Sequence, residues 1–322
     1  MTALELVITD IAEEVPGIRS VTLEAADGAP LPGYVPGSHV VLELGCGRRN
    51  AYSLTGDGVD PAAYRISVLH VPAGAGGNGG SEWIHRELTP GTKVGALLPR
   101  SAFPPVARAR RHLLIAGGIG VTPILSHLRA ARRWGREVQV LYTFRPGRGA
   151  HLDDIEDLAG GLPGPGLETC TEREAFTRRL DTVLAEQPIG THLYVCGPGP
   201  MMDATLAAAA AAGWPDSRLH SERFGADALA PGEPFTVTVT HAGNRRELTV
   251  PSGVSLLETL ERTGLDVPNM CRQGVCGECR LTVGGGTPLH RDLYLSDDEK
   301  AAGDAVMACV SRADGPTLEV SL

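Results

Sequence analysis

Lysine is almost missing from this 322-residue chain: it stands only at Lys93 and Lys300, so arginine supplies 27 of the 29 basic residues. We read that skew as a compositional bias rather than a binding signal. Base is also in short supply overall, because 38 acidic residues leave a formal net charge of −9. Nucleic-acid binding draws on clustered Lys and Arg that neutralise phosphates, so this balance argues against nucleic acid as a partner. No uninterrupted apolar run reaches the roughly 18 residues that suggest a membrane span. The nearest approach, ATLAAAAAAG at 204–213, is mostly alanine, a strong helix former, so no membrane association is expected. The first 20 residues carry acids and no basic-then-apolar start, so no secretory signal is expected. A cytoplasmic protein keeps its thiols reduced. Seven cysteines, an odd number, also fit no complete disulfide pairing.

What is present is enough apolar residue, 42%, for several cores, and a length that suggests two or three domains. Residues 1–108 look β-rich, with short apolar or alternating runs such as Val40–Leu44 and Tyr64–Leu69 between Gly/Pro turns. A glycine-dense loop follows at 72–80. Residues 109–226 alternate strand-length runs (Arg111–Ala116, Val138–Thr143, His192–Cys196) with helical patterns. One helix is expected over Pro123–Trp134, with Thr122 as N-cap and Gly135 as its stop, and another over Met201–Ala212. Such alternation implies a parallel sheet. A small, proline-containing linker at 227–234 precedes a third, α+β unit over 235–322. Its expected elements are a strand Phe235–Thr240, a hairpin partner Arg246–Val250 and a short helix Leu256–Arg262. That unit holds 8 basic and 12 acidic residues, and its acidity serves either solubility or the docking of a basic partner.

Three motifs carry chemistry. Cys271, Cys276 and Cys279 have the spacing C-x4-C-x2-C, and 29 residues separate Cys279 from Cys309. This is the plant-type 2Fe-2S spacing. Two irons, each in tetrahedral sulfur ligation, need four thiolates; three come from one loop, and Gly274 and Gly277 let its backbone approach the sulfurs. A structural zinc site ordinarily presents two close cysteine pairs, and here the second half is a lone cysteine. Cys46 and Cys170 are read as bystanders. The ten histidines are scattered without ligand spacing, and His220 and His290 are read as structural.

The second motif, Gly117, Gly118, Gly120, Thr122 and Pro123, lies between a strand and a helix, where backbone N–H groups meet a pyrophosphate. Cys196, Gly197, Pro198 and Met201 end another strand and open another helix. Both loops fall at the carboxyl edge of a parallel sheet, where ligands bind, and Cys196 would line a nicotinamide pocket. Arg145 and Arg148 can accept a 2′-phosphate, which leaves NADH and NADPH both open. The third motif, Arg49-Asn50-Ala51-Tyr52-Ser53, follows the β-rich start. Its Tyr-Ser pair can set an aromatic face and a hydroxyl against a flavin ring.

Together with Gly79-Gly80-Ser81, His220 to Phe224, His290-Arg291-Asp292 and Cys309 to Arg312, these motifs resemble the phthalate dioxygenase reductase family, which includes the vanillate demethylase reductases. The resemblance runs over nearly the whole chain. It implies an antiparallel flavin-binding β-barrel (1–108), a Rossmann-like NAD(P)H domain (109–226) and a C-terminal β-grasp ferredoxin domain (235–322). It implies that Tyr52 and Ser53 hold the flavin ring and that Ser67, Val68 and Leu69 line it through their backbone. It gives Gly79, Gly80 and Ser81 the phosphate, brings Thr122 to the ring and packs Phe224 on the flavin side. Ser53, Thr122, Cys196 and Phe224 then border the reacting atoms. FMN rather than FAD follows from the resemblance alone. The family places Arg two residues before the Tyr; here that residue is Asn50, and Arg49 is one position earlier.

NAD(P)H gives two electrons together, a 2Fe-2S cluster takes one at a time, and flavin can do both. The expected activity is therefore that of a monomeric reductase component serving a terminal oxygenase, either a Rieske non-haem iron protein or a cytochrome P450. Two alternatives stand beside it: a redox-sensing or electron-storage module without turnover, and a plain flavin reductase, which the ferredoxin domain disfavours.

Overall fold

The computed structural model describes residues 3–322 apart from 48, 73–78, 102, 225–231, 270–273, 275, 276 and 293. The chain forms two compact units, Met1–Arg223 and Phe224–Leu322.

The first unit begins with strands β1 (Ala3–Val15), β2 (Ile18–Ala25), β3 (Ser38–Glu43), β4 (Arg49–Ser53) and β5 (Tyr64–Leu69). Helix α1 (Gly80–Arg86) and strands β6 (Lys93–Leu97) and β7 (Arg100–Ser101) follow. The strands pair antiparallel in the order β4-β3-β6-β1-β2-β5. A single bridge, Leu54↔Ile66, brings the end of β4 back to β5 and closes the barrel. Alternation explains the closure: Leu6, Ile8, Val21, Leu23, Val40, Leu42, Ile66 and Val68 all turn into one core.

The same unit continues as β8 (Arg111–Gly117), α2 (Val121–Trp134), β9 (Glu137–Thr143), α3 (Leu152–Gly160) and β10 (Gly166–Cys170). After these come α4 (Arg173–Ala185), β11 (Thr191–Cys196), α5 (Gly199–Ala211) and β12 (Leu219–Glu222). The five strands are parallel, in the order β10-β9-β8-β11-β12. Strand β8 is central and buried on both faces, which is why RHLLIAG reads as a continuous apolar run. Helix α2 buries Ile124, Leu125 and Leu128 against this sheet, and truncating such a leucine costs about 2–5 kcal/mol.

Here one expectation is corrected. Thr122 is not the N-cap of α2; that place belongs to Gly120, after a 3₁₀ turn over Gly118–Gly120. Thr122 is the second residue of the helix, and its hydroxyl donates to the Ile119 carbonyl at 3.1 Å. The 3₁₀ turn extends the helical path past the residue that sequence signals favour. The stop at Gly135 is as expected, in the left-handed region at φ 61°.

The second unit contains β13 (Phe235–His241), β14 (Asn244–Val250), α6 (Leu256–Arg262), β15 (Arg280–Gly285) and β16 (Pro288–Leu289). It ends with α7 (Asp297–Ala302), β17 (Ala305–Met307), β18 (Arg312–Ala313) and β19 (Thr317–Ser321). A β13–β14 hairpin, a helix across it and the parallel return strand β19 beside β13 make a β-grasp sheet, ordered β14-β13-β19-β15-β17. Ser255 caps α6 by accepting from the Glu258 N–H at 3.0 Å. Among the described residues, no helix is long and apolar enough to cross a membrane.

Candidate functional site

Strands β4 and β5 meet only at Leu54↔Ile66, with Thr55 N–H donating to the Arg65 carbonyl at 2.9 Å. Before that point on β4 and after it on β5 they diverge. The open edges are Tyr52-Ser53 on one side and Ser67, Val68 and Leu69 on the other. Tyr52 is held by the Asn50 amide, which donates to its hydroxyl at 3.2 Å, and burial raises the phenol's pKa. Ala51 pairs with Val41, and Arg49 forms an ion pair with Glu43 on β3. Val68 turns its side chain into the core while its carbonyl accepts from His85 on α1 at 2.9 Å. Leu69 is exposed.

Gly79 sits in the left-handed region at φ 88° as the cap of α1. A Cβ on Gly80 would fall 2.2 Å from Asn50 Nδ2, so any larger residue there would displace the Asn50 side chain that holds Tyr52. The Ser81 hydroxyl both accepts from the Val71 N–H (3.1 Å) and donates to the Val71 carbonyl (3.0 Å). It therefore fixes the chain entering the glycine loop, most of which lies outside the described residues.

The parallel sheet presents its carboxyl edge to this cleft. The glycines of the β8–α2 turn divide by role. A Cβ on Gly117 would stand 2.6 Å from Met201 Sδ, and one on Gly120 would stand 2.3 Å from the Cys196 carbonyl oxygen. On Gly197 it would lie 2.9 Å from Gly117 Cα. These three let the two loops press together. Gly118, at φ 52° with open space around it, is the one whose surface is free. Pro123 is buried in the first turn of α2, and Pro198 is the N-cap residue of α5. Arg145 is exposed on the loop after β9, whereas Arg148 donates to the Pro16 carbonyl and serves the barrel contact.

At the end of β11, Cys196 is fully buried, and burial, aided by the Glu222 carboxylate, raises its thiol pKa well above the ordinary value. Cys196 and Glu222 face each other across β11 and β12. Glu222 is the residue that motif reading left without a role. It is 8% exposed, the Ser53 hydroxyl donates to it at 3.5 Å, and burial lifts its carboxyl pKa to about 8. It therefore holds a proton at neutral pH, beside the cleft between the two halves. Its position at the end of a parallel strand was the available signal.

Residues 92–219 match the family model "Dimethylamine monooxygenase subunit DmmA-like, N-terminal domain", and residues 239–314 match "2Fe-2S iron-sulfur cluster binding domain". The chain is 38% identical to the heme-dependent oxidative N-demethylase beta subunit of Ectopseudomonas mendocina, covering 100% of this chain and 99% of that one. It is 32% identical to the vanillate O-demethylase oxidoreductase of Acinetobacter baylyi, covering 100% of both. The solved structure of phthalate dioxygenase reductase, described as modular for electron transfer from pyridine nucleotides to 2Fe-2S, superposes with a TM-score of 0.79 at 32% identity. That match covers 99% of this chain and 98% of that one. The chain belongs to the phthalate dioxygenase reductase family.

The second unit of this reductase-family chain fits an iron–sulfur centre in its donor chemistry. Cys279 and Cys309 are both 2% exposed within one apolar core, and the Ala308 N–H donates to the Cys279 carbonyl at 3.0 Å. Gly274 and Gly277 have φ 73° and 80°, and a Cβ on Gly277 would lie 2.3 Å from the Tyr294 ring. Cys271 and Cys276 lie outside the described residues. Phe224 is the first residue of the second unit. Cys46 is exposed and Cys170 half-buried.

Proposed function

We propose that the chain is the reductase component of a two-component oxygenase, carrying electrons from NAD(P)H through FMN and a 2Fe-2S cluster to a terminal oxygenase. The observation that carries this reading is the coexistence, in one polypeptide, of an antiparallel barrel joined to a five-stranded parallel sheet and a β-grasp unit with buried Cys279 and Cys309. The bound groups together convert a two-electron donor into one-electron steps. This chain's residues bind, orient and shield them. In this proposal Tyr52 and the edges of Ser53, Ser67, Val68 and Leu69 hold the flavin ring, and Arg49, Asn50, Gly79, Gly80 and Ser81 hold its phosphate side. Phe224 covers the ring. Gly117, Gly118, Gly120, Thr122, Pro123, Gly197, Pro198 and Met201 shape the nucleotide edge, Cys196 lines the nicotinamide end, and Arg145 faces the ribose. Glu222 accepts the Ser53 hydroxyl hydrogen and orients that hydroxyl. Cys271, Cys276, Cys279 and Cys309 ligate the irons.

The three functional modules we assign are 1–108, 109–226 and 235–322, working as a monomer in the cytoplasm, where thiols stay reduced. The partner we favour is a Rieske non-haem iron protein. A haem partner is the second reading, supported by the 38% identity to a subunit named as heme-dependent. The test is spectroscopic. Purified holoprotein should be coloured, contain iron and acid-labile sulfide, and sustain NADH oxidation with ferricyanide or cytochrome c. It should then reduce one candidate oxygenase. Colourless protein, or zinc in place of iron, would overturn the proposal.

A further inference from the structure

The two halves of the first unit are tied to each other near both β5 and the end of β4, and one histidine makes the tie to β5. His151 Nε2 lies 2.8 Å from the Ser67 hydroxyl on β5, which itself shares a hydrogen bond with the Ser20 hydroxyl on β2 at 2.8 Å. His151 Nδ1 faces Glu14 of β1 at 3.5 Å and Asp154 of α3 at 3.9 Å. Asp154 accepts from Arg129 Nη2 at 2.8 Å, and Arg129 Nη1 donates to the Thr55 carbonyl at 2.8 Å. Thr55 directly follows the Tyr52-Ser53-Leu54 edge. Two separate polar ties therefore join the halves, Ser67 to His151 on one side and Thr55 to Arg129 and Asp154 on the other, with His151 Nδ1 and Asp154 3.9 Å apart between them.

His151 is also one of the described non-glycine residues with left-handed backbone, at φ 59° and ψ 24°. It ends the loop that follows β9, the loop carrying Arg145. A side chain kept in that conformation is over-determined by its surroundings, a pattern that concentrates at sites where position matters. Helix α2 has further ties to the barrel, through Ser126 to the Gly56 carbonyl (2.6 Å) and His127 to the Phe103 carbonyl (2.8 Å). Among the side-chain hydrogen bonds of the described residues, the Ser67 hydroxyl reaches the nucleotide-binding half through His151.

We propose that His151, acting through its hydrogen bond to Ser67, is a positioning residue that sets the nucleotide-binding half at its working distance from the proposed flavin site. The proposal rests on the flavin reading of β4 and β5 given above. Hydride transfer between two bound rings is acutely sensitive to their separation, so loosening the strap should slow that step and leave binding itself largely intact.

The test uses holoprotein and rapid-mixing reduction by NADH. His151→Ala should lower the limiting rate of flavin bleaching by roughly ten- to a hundredfold. The apparent affinity for NADH, the flavin content and the cluster absorption should stay as in the parent protein. Ser67→Ala should give the same loss, the double variant should be no slower than either single variant, and His151→Gln, which restores a partner for the Ser67 hydroxyl, should recover most of the rate. Independently of turnover, amide hydrogen exchange in the 64–69 segment should speed up in both alanine variants. An unchanged limiting rate with unchanged exchange in that segment, or strictly multiplicative losses in the double variant, would overturn the proposal. If His151→Ala fails to fold, His151→Phe, which keeps a ring but cannot bond the Ser67 hydroxyl, decides through its limiting rate and its exchange in the 64–69 segment. Parent protein that holds no flavin would instead defeat the flavin reading, so the two failures are told apart.

Discussion

Ser53, at the end of a barrel strand, donates its hydroxyl to the carboxyl of Glu222, at the end of the last parallel strand, across 3.5 Å. The pair is 169 residues apart in sequence, and both members are buried. A lone hydrogen bond of this length does not offset the desolvation of a carboxylate, so the group keeps its proton.

That fact sets a pH dependence. The folded pKa of Glu222 is raised from 4.5 to about 8, so its contribution to stability is full below about 4.5 and is lost as pH climbs through about 8. Glu222→Gln, a neutral isostere, removes this loss. Urea midpoints of variant and parent should agree near pH 4.5, and the variant should be the more stable at pH 9, by up to a few kcal/mol. Parallel stability curves for the two proteins would contradict the buried, protonated carboxyl.

The glycines of the β8–α2 turn should respond to the same change by different amounts. Gly120→Ala drives a methyl against the Cys196 backbone carbonyl, which a side-chain rotation cannot relieve. A cost of about 1–3 kcal/mol or more is expected, together with weakened NADH binding. Gly118→Ala meets open space and only the strain of φ 52°, about 1 kcal/mol. Chemical denaturation and NADH titration of both variants check the ranking; equal losses would show that the loops do not press together as described.

These glycines also show how far sequence reading reaches. The run Gly117 to Pro123 was visible as a strand-to-helix turn, because glycine clusters and Pro at a helix start are local signals. Which glycine faces ligand and which faces Met201 or Cys196 depends on the second loop arriving from 80 residues away. Strands β8, β9 and β11 were legible as unbroken apolar runs. Strand β10, at the edge of the sheet, was not, since Gly166–Cys170 is nowhere fully buried and carries no such run. Glu222 was passed over for a related reason. A single acid in a short strand has no periodicity, and only its partner Ser53 reveals its role. The cysteine pattern needed no tertiary context to be seen, because C-x4-C-x2-C is a local spacing.

Cys309 gives the sharpest separation of the two units. It is the distant fourth thiol, 2% exposed beside Cys279. Cys309→Ser should abolish the cluster's visible absorption and bound iron and end delivery to a protein acceptor. NADH oxidation with ferricyanide should persist, because the flavin cleft and nucleotide edge lie in the other unit. Iron assay, absorption and the two acceptor assays check it. Continued reduction of the protein acceptor would mean that electrons leave from the flavin directly.

Arg312 tests what holds the second unit's entry segment in place. It is 4% exposed, stands 5.1 Å from the centre of the Phe235 ring, and donates to three carbonyls. They are Val254 (2.7 Å), Pro251 (3.1 Å) and Glu233 (3.0 Å). No carboxylate pairs with it in an ion pair among the described residues, so burial and the neighbouring Arg291 lower its pKa slightly, while its planar fork spreads the charge over backbone dipoles. Lysine offers a point charge with no planar fork, so it cannot serve the three carbonyls from one fixed plane. Arg312→Lys should therefore destabilise the unit by about 1–3 kcal/mol, and Arg312→Met, which keeps much of the apolar length but no donor, by more. If Met proved as stable as Arg, the side chain would be acting through packing on Phe235 rather than through its hydrogen bonds. Thermal denaturation followed at the cluster absorption band distinguishes the two cases.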